Sequence, residues 1–169
     1  MSENNNIDNI HSKQDLDLST SRDRVRSSED DHHMEWVDEV KGIAYINDSR
    51  STRLTATRNS LESIGTSVVL ITGGDDRDND YSILFQQVRE KVSAIIYLGG
   101  NSDKLLKHYS RNYMLFAKAE TLKEAVQLAG FYAKTGDVVL FSPGCPSYHA
   151  FDNYKNRGIE FRGIVKSLK

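Results

Sequence analysis

Residues 72–82, with the sequence TGGDDRDNDYS, carry residue types that could bind an anion. They follow an apolar run, and paired glycines after a buried strand are typical of phosphate-binding loops. A triphosphate loop of the P-loop kind needs the pattern G-x-x-x-x-G-K-[ST], and the sequence contains no such segment. The glycines do not extend to G-x-G-x-x-G either, and the carboxylates after them would repel a pyrophosphate. The sequence therefore excludes a triphosphate cradle in this loop.

Three more polar segments follow predicted strands, at residues 47–52, 99–101 and 142–147. Ligands of open parallel sheets bind outside the carboxyl ends of the strands, so these segments predict a strand-end cleft. The alternative is that the same residues only form turns and helix caps. Cys145 and His149 could pair as a thiol and its base, and the histidines lack a set of metal-ligand partners. We expect no catalytic nucleophile and no metal site.

Alternating strand and helix patterns begin near residue 35. Residues 35–41 and 43–47 flank Gly42 and predict a hairpin. Residues 52–64 can form a helix with its leucines on one side. Phe131, Tyr132 and Phe161 have helical spacing and are predicted to be core residues.

Four apolar runs of about five residues follow the first helix, with helix-period stretches between them, one of which includes Val88 and Val92. The runs lie at residues 68–72, 94–98, 113–117 and 138–141. Continuous apolar runs indicate strands buried on both faces, and their alternation with helices indicates parallel strands joined by crossovers. We predict an α/β, Rossmann-like fold. Its mostly parallel sheet has about six strands, flanking helices and an N-terminal hairpin.

Composition sets the class of protein. The chain has 169 residues, a formal net charge of −2 and one cysteine, which predicts a reducing, cytoplasmic location and no nucleic-acid partner. No apolar run approaches the ~18 residues of a membrane span. Residues 1–31 contain eight acidic and four basic side chains and no aromatic ring, so we predict a disordered acidic tail. Residues 32–169 are predicted to form one domain.

Three segments carry a family resemblance: INDSRST at 46–52, GGDDRDNDYS at 73–82 and LFSPGCPS at 140–147, followed by Phe151, Asn153, Arg157 and Gly158. In this order and spacing they resemble the C-terminal domain of the Mur ligases, which act in bacterial peptidoglycan biosynthesis. They are most similar to the ligases that add D-glutamate to UDP-N-acetylmuramoyl-L-alanine. The resemblance extends from about residue 32 to residue 169.

The resemblance implies that different domains of the ligase carry out different parts of the reaction. In this family a central ATPase domain uses ATP and Mg²⁺ to form an acyl phosphate, and the C-terminal domain closes over it with the incoming amino acid. No cofactor is therefore expected in this chain itself. By resemblance, the residues near the nucleotide are His32, Asp48 and Arg50. By resemblance, the residues that contact D-glutamate are Thr52, Arg77, Ser147, Tyr148 and Tyr154.

Departures from the family pattern lead to two hypotheses. Arg50 and Arg77 stand where the family has lysine, and arginine and lysine are not interchangeable in a fixed pocket. With the start at Met1, this favours a stand-alone, catalytically incompetent domain that acts as a binding or regulatory module. Such a module would bind a protein partner through the acidic tail or the strand-end cleft, or bind a small anion weakly. The alternative is the C-terminal domain of a D-glutamate-adding Mur ligase, which needs the missing ATPase and substrate domains.

Overall fold

A computed structural model describes residues 31–74, 79–109, 115–147 and 151–169. Its strands are β1 (Glu35–Val40), β2 (Ile43–Asn47), β3 (Val68–Thr72), β4 (Val92–Leu98), β5 (Leu115–Ala119) and β6 (Val138–Phe141). Its helices are α1 (Leu54–Glu62), α2 (Phe85–Lys91), α3 (Asp103–Tyr109), α4 (Leu122–Tyr132) and α5 (Tyr154–Lys166). A 3₁₀ turn, Tyr81–Leu84, precedes α2.

The described strands form one sheet in the order β1-β2-β6-β3-β4-β5. Only β1 runs antiparallel to its neighbour, and the other pairs are parallel. The predicted α/β fold with a mostly parallel sheet is confirmed. The last strand, β6, lies between β2 and β3, so the carboxyl ends of these three strands are adjacent.

The N-terminal hairpin forms as predicted, with a two-residue turn at Lys41 and Gly42. Both residues have positive φ, +54° and +74°, which is the geometry of the turn that matches the twist of paired strands. A Cβ on Gly42 would lie 2.7 Å from Cγ2 of Thr135, so the turn also needs glycine for space. Gly136 N donates to Gly42 O at 2.8 Å, which holds the hairpin against the chain that leads into β6.

The sheet separates two apolar clusters because successive side chains of a strand point to opposite faces. Leu70 packs on the face covered by α1, α2 and α3, and Ile71 packs on the face covered by α4 and α5. Both side chains are fully buried. This is why β3 is a continuous apolar run in the sequence.

Three local predictions differ from the structure. Val92 continues the helical spacing of Val88 but begins β4, because it pairs with Val68 of β3. The fifth strand is described over Leu115–Ala119 and so extends past the predicted end at residue 117, while residues 113 and 114 lie outside the described residues. Leu115 is 52% exposed because β5 lies at the edge of the sheet. Phe131 is not a core residue: its side chain is 80% exposed because Leu122, Ala125, Val126 and Ala129 form the buried side of α4.

Residues 1–30, which contain almost all of the predicted acidic tail, lie outside the described residues. Among the residues that are described, no helix has the length and apolar character needed to cross a membrane.

Candidate functional site

The loops after β2, β3 and β6 meet at the carboxyl edge of the sheet. We call them the β2 loop (residues 48–53), the β3 loop (residues 73–80, described except for 75–78) and the β6 loop (residues 142–147). Gly144 N donates to Ser51 O at 2.9 Å, and Gly73 N donates to Pro143 O at 3.0 Å. Thr72 Oγ1 also donates to Pro143 O, at 2.9 Å. The β6 loop therefore lies between the other two and bonds to both.

Glycines allow these loops to approach closely. Gly144 has φ +67°, and a Cβ there would lie 2.5 Å from Cδ2 of Leu54. Gly74 has φ +133°, and a Cβ there would lie 2.6 Å from Sγ of Cys145. Cys145 is buried and donates its S–H to Gly73 O at 2.7 Å. The paired glycines therefore allow the loops to pack closely. His149, which the sequence suggested as a base for the Cys145 thiol, lies outside the described residues.

Asp48 is completely buried and accepts bonds from several parts of the domain. Its Oδ2 accepts from Ser60 Oγ and from Ser142 Oγ, both at 2.7 Å. Its Oδ1 accepts from Met34 N at 3.2 Å, and Nδ1 of His33 also lies 3.2 Å away. The carboxylate joins the start of β1, helix α1 and the β6 loop. Its predicted position near a nucleotide stays a prediction.

His32 is buried, with a left-handed backbone at φ +64°. Asn47 Nδ2 donates to His32 Nδ1 at 2.8 Å, and Glu35 Oε2 lies 3.3 Å from the same nitrogen. Burial lowers the pKa of His32, although the charge of Glu35 acts in the opposite direction. A Cβ on Gly158 would overlap the imidazole ring, so α5 packs directly on it. His32 therefore joins β1, β2 and α5.

Three of the five residues predicted to contact D-glutamate are described by the structure. Thr52 is half-buried on the β2 loop, Ser147 is buried on the β6 loop, and Tyr154 is half-buried at the start of α5. Ser49 Oγ donates to Tyr154 O at 2.8 Å, which ties α5 to the β2 loop. The structure thus brings all three onto connected elements at one edge of the sheet. Arg77 and Tyr148 lie outside the described residues.

If the family resemblance holds in three dimensions, Arg50, Arg53 and Arg77 converge in a cationic patch at the same edge. Arg50 and Arg53 are both exposed on the β2 loop. Arg50 N donates to His32 O at 2.9 Å, which fixes the backbone of this arginine, and Arg53 is the residue before α1. The side chains of Arg50 and Arg53 are therefore accessible to an anion in solution.

The three residues predicted to lie near the nucleotide differ in exposure. His32 and Asp48 are buried in contacts within the domain, and only Arg50 of the three predicted nucleotide-proximal residues is exposed. No group of three His, Cys, Asp or Glu side chains within the described ranges could hold a metal ion.

Arg157 is the residue at this edge whose contacts the sequence did not indicate. It is 2% exposed on the first turn of α5 and donates to oxygens of Ser49 and Cys145. The family-like motif includes Arg157, but no periodicity or spacing predicts a buried arginine, because arginine is mostly an exposed residue. The bonds of Ser60 and Ser142 to Asp48 were not predicted either, because these residues are distant from Asp48 in sequence.

Comparisons with known proteins identify the family of the chain. A model of the family described as "Mur ligase, glutamate ligase domain" matches residues 32–145. The chain belongs to this family. The UDP-N-acetylmuramoylalanine–D-glutamate ligase of Porphyromonas gingivalis is 43% identical to this Mur ligase domain over 137 residues. That match covers 81% of the chain and 30% of the relative, so the chain spans about a third of the length of such ligases.

Two solved structures share the fold of this Mur ligase domain. The MurF ligase of Thermotoga maritima, in complex with ADP, has a TM-score of 0.52 at 13% identity over 82% of this chain and 32% of its own. The bifunctional folylpolyglutamate synthase/dihydrofolate synthase of Yersinia pestis, complexed with AMPPNP and a Mn ion, has a TM-score of 0.53. Its identity is 16%, over 82% of this chain and 31% of its own.

Proposed function

We propose that this Mur ligase domain works as the C-terminal part of a ligase that joins D-glutamate to UDP-N-acetylmuramoylalanine in peptidoglycan precursor synthesis. The observation that carries the proposal is the 43% identity to such a ligase over 81% of the chain. The geometry supports it, because Thr52, Ser147 and Tyr154 lie on elements that hydrogen bonds connect. The domain would bind the incoming amino acid.

The chemistry of these side chains suits a dicarboxylate. The hydroxyls of Thr52 and Ser147 can donate to carboxylate oxygens, and a guanidinium can donate two parallel bonds to one carboxylate. Arg50 and Arg53 are exposed on the same loop as Thr52. ATP and Mg²⁺ would be held by other domains of such a ligase, and we assign no step of phosphate transfer to this domain.

The stand-alone, non-catalytic module favoured by the sequence analysis has less support than the ligase role. High identity to a D-glutamate ligase extends over most of the chain, which favours the alternative. The replacement of lysine by Arg50 and Arg77 keeps the charge of both positions. Binding of a protein partner through the acidic tail or the strand-end cleft stays a separate prediction.

A chimeric ligase would test the proposal. The segment of the P. gingivalis ligase that matches this chain is replaced by residues 32–169, and phosphate release is measured with ATP and UDP-N-acetylmuramoylalanine. We expect release that depends on D-glutamate and is weaker with L-glutamate. In the same chimera, Thr52→Val should raise the KM for D-glutamate because it removes a hydroxyl donor.

The matched control for this substitution is Thr55→Val, because Thr55 is exposed on α1 and is predicted to have no ligand contact. It should leave the KM unchanged. A folded chimera without D-glutamate-dependent phosphate release would contradict the proposed function.

The unmodified chain alone should release no phosphate above the blank with ATP, D-glutamate and UDP-N-acetylmuramoylalanine. The matched region covers only 30% of such a ligase, and within the described ranges no group of three His, Cys, Asp or Glu side chains could hold a metal ion. Measurable turnover by the purified chain would show that the missing contacts are not needed.

A further inference from the structure

The side chain of Arg157 connects three elements at the carboxyl edge of the sheet. Its Nε donates to Ser49 Oγ at 3.0 Å and its Nη2 donates to Ser49 O at 2.8 Å. Its Nη1 donates to Cys145 O at 3.2 Å. One planar guanidinium on α5 therefore bonds to both the β2 loop and the β6 loop.

Burial of this guanidinium is unfavourable by itself. Desolvation lowers the pKa of Arg157, although its interaction with Cys145 acts in the opposite direction. The oxygens that accept its bonds belong to a hydroxyl and to backbone carbonyls, and these are neutral. If packing were the only role of this position, an apolar side chain of similar size would serve as well or better. The planar guanidinium has donors in fixed directions, so its hydrogen bonds set the distance between two loops, which an apolar side chain cannot do.

The contacts of Arg157 lie close in sequence to each described candidate for D-glutamate binding. Thr52 is three residues after Ser49, Ser147 is two residues after Cys145, and Tyr154 is three residues before Arg157 on the first turn of α5. The loops that carry Thr52 and Ser147 have no regular secondary structure of their own. Their relative position therefore depends on bonds between them.

We propose that Arg157 is a positioning residue, which holds the β2 and β6 loops at the separation that Thr52, Ser147 and Tyr154 need to bind one amino acid together. This inference rests on the proposed function for the identity of the ligand. The positioning of the loops themselves does not depend on it. Arg157 acts through its neighbours, because it is too deeply buried to touch a ligand.

Amide hydrogen exchange of the full chain tests the positioning without any ligand. The reporters are the amides of Ser51, which donates to Asp48 O, and of Gly144, which donates to Ser51 O. Arg157→Met should accelerate exchange at both amides by about tenfold or more relative to amides of β3. The two loops can then open locally without breaking the hydrogen bonds of the guanidinium, so opening requires less free energy. Arg157→Lys should behave in the same way, because one ammonium lacks the fork that spans both loops.

Val165→Ala is the matched destabilising control. Val165 is fully buried on the last turn of α5 and packs in the apolar cluster beneath it. This variant should accelerate exchange across the domain without a selective effect on Ser51 and Gly144. Equal acceleration at the two reporters in Val165→Ala and Arg157→Met would overturn the proposal, and so would full protection in Arg157→Lys.

The chimeric ligase tests whether the position of the loops affects the binding of D-glutamate. Arg157→Lys in the chimera should raise the KM for D-glutamate by about tenfold or more with a smaller change in kcat, since small displacements of binding groups have large effects. An unchanged KM would overturn the link to D-glutamate. An inactive chimera that retains Arg157 would instead disprove the proposed function, while the exchange experiment would still decide the positioning.

Discussion

The carboxylate of Asp48 accepts bonds from donors far apart in the chain. Ser142 Oγ is 94 residues away in sequence, and Ser60 Oγ lies on α1. A buried acceptor with these partners is costly to alter, because its donors would also lose their bonds. Asp48 therefore stabilises the base of the β2 loop whether or not it approaches a nucleotide.

Asp48→Asn should lower the free energy of unfolding by about 1 to 3 kcal/mol, because an amide NH₂ cannot accept from a serine hydroxyl. Urea denaturation followed by the fluorescence of Trp36, the only tryptophan, measures the change. The control is Asp152→Asn, an exposed position where the change should stay within about 0.5 kcal/mol. Equal stabilities of the two variants would contradict the role of Asp48.

His32 makes stability depend on pH. Burial lowers its pKa in the folded state below the ordinary 6.5, so below pH 6.5 the unfolded chain binds more protons than the folded one. The contribution of His32 is therefore present above pH 6.5 and is lost as the pH falls toward the lowered value. The charged groups that face it are Glu35, Asp31 and Arg162.

His32→Asn should reduce the slope of stability against pH between about pH 5 and 8, since asparagine tolerates positive φ but does not titrate. The free energy of unfolding is measured by urea denaturation at each pH for both proteins. Parallel curves for the variant and the original chain would show that His32 does not titrate differently on folding.

Helix α5 contains two glycines, Gly158 and Gly163, whose surroundings differ. Gly158 faces the His32 ring, where a Cβ would lie 2.6 Å from Cγ, whereas Gly163 has no atom within 4 Å of a built Cβ. Alanine is otherwise preferred to glycine inside a helix, because it loses less conformational freedom on folding. The same substitution should therefore have opposite effects at the two positions.

Gly158→Ala should destabilise the domain by about 1 to 3 kcal/mol through overpacking against His32. Gly163→Ala should stabilise it by about 0.5 to 1 kcal/mol through helix propensity. Thermal unfolding followed by circular dichroism compares the two. If Gly158→Ala were also stabilising, the close approach of α5 to His32 would be wrong.

The sheet is covered on both faces at its centre, whereas its edge strand β5 is more exposed to solvent. Leu70 is fully buried in β3, while Leu115 in the edge strand β5 is 52% exposed. Leu70→Ala should lower the free energy of unfolding by about 2 to 5 kcal/mol, because it leaves a cavity. Leu115→Ala should change it by less than about 1 kcal/mol, and denaturant titration separates the two results. Similar losses at both positions would contradict the edge placement of β5.

The sequence predicted those features that depend on neighbours along the chain. The hairpin at Gly42 follows from turn chemistry, and β3 and β6 follow from continuous apolar runs. The family motifs predicted the Mur ligase fold and placed the loop residues Thr52 and Ser147 at strand ends. These predictions succeeded because each rests on a local pattern that the fold preserves.

Only the tertiary structure decided the order of the strands and the burial of polar side chains. Nothing local places β6 between β2 and β3, and nothing local shows that Arg157 is buried beside Ser49, which is 108 residues away in sequence. Val92 and Phe131 were misassigned because strand pairing and the packed side of α4 override helical spacing. Whether a polar residue faces solvent or bonds within the domain depends on partners distant in sequence, and only the folded chain brings these together.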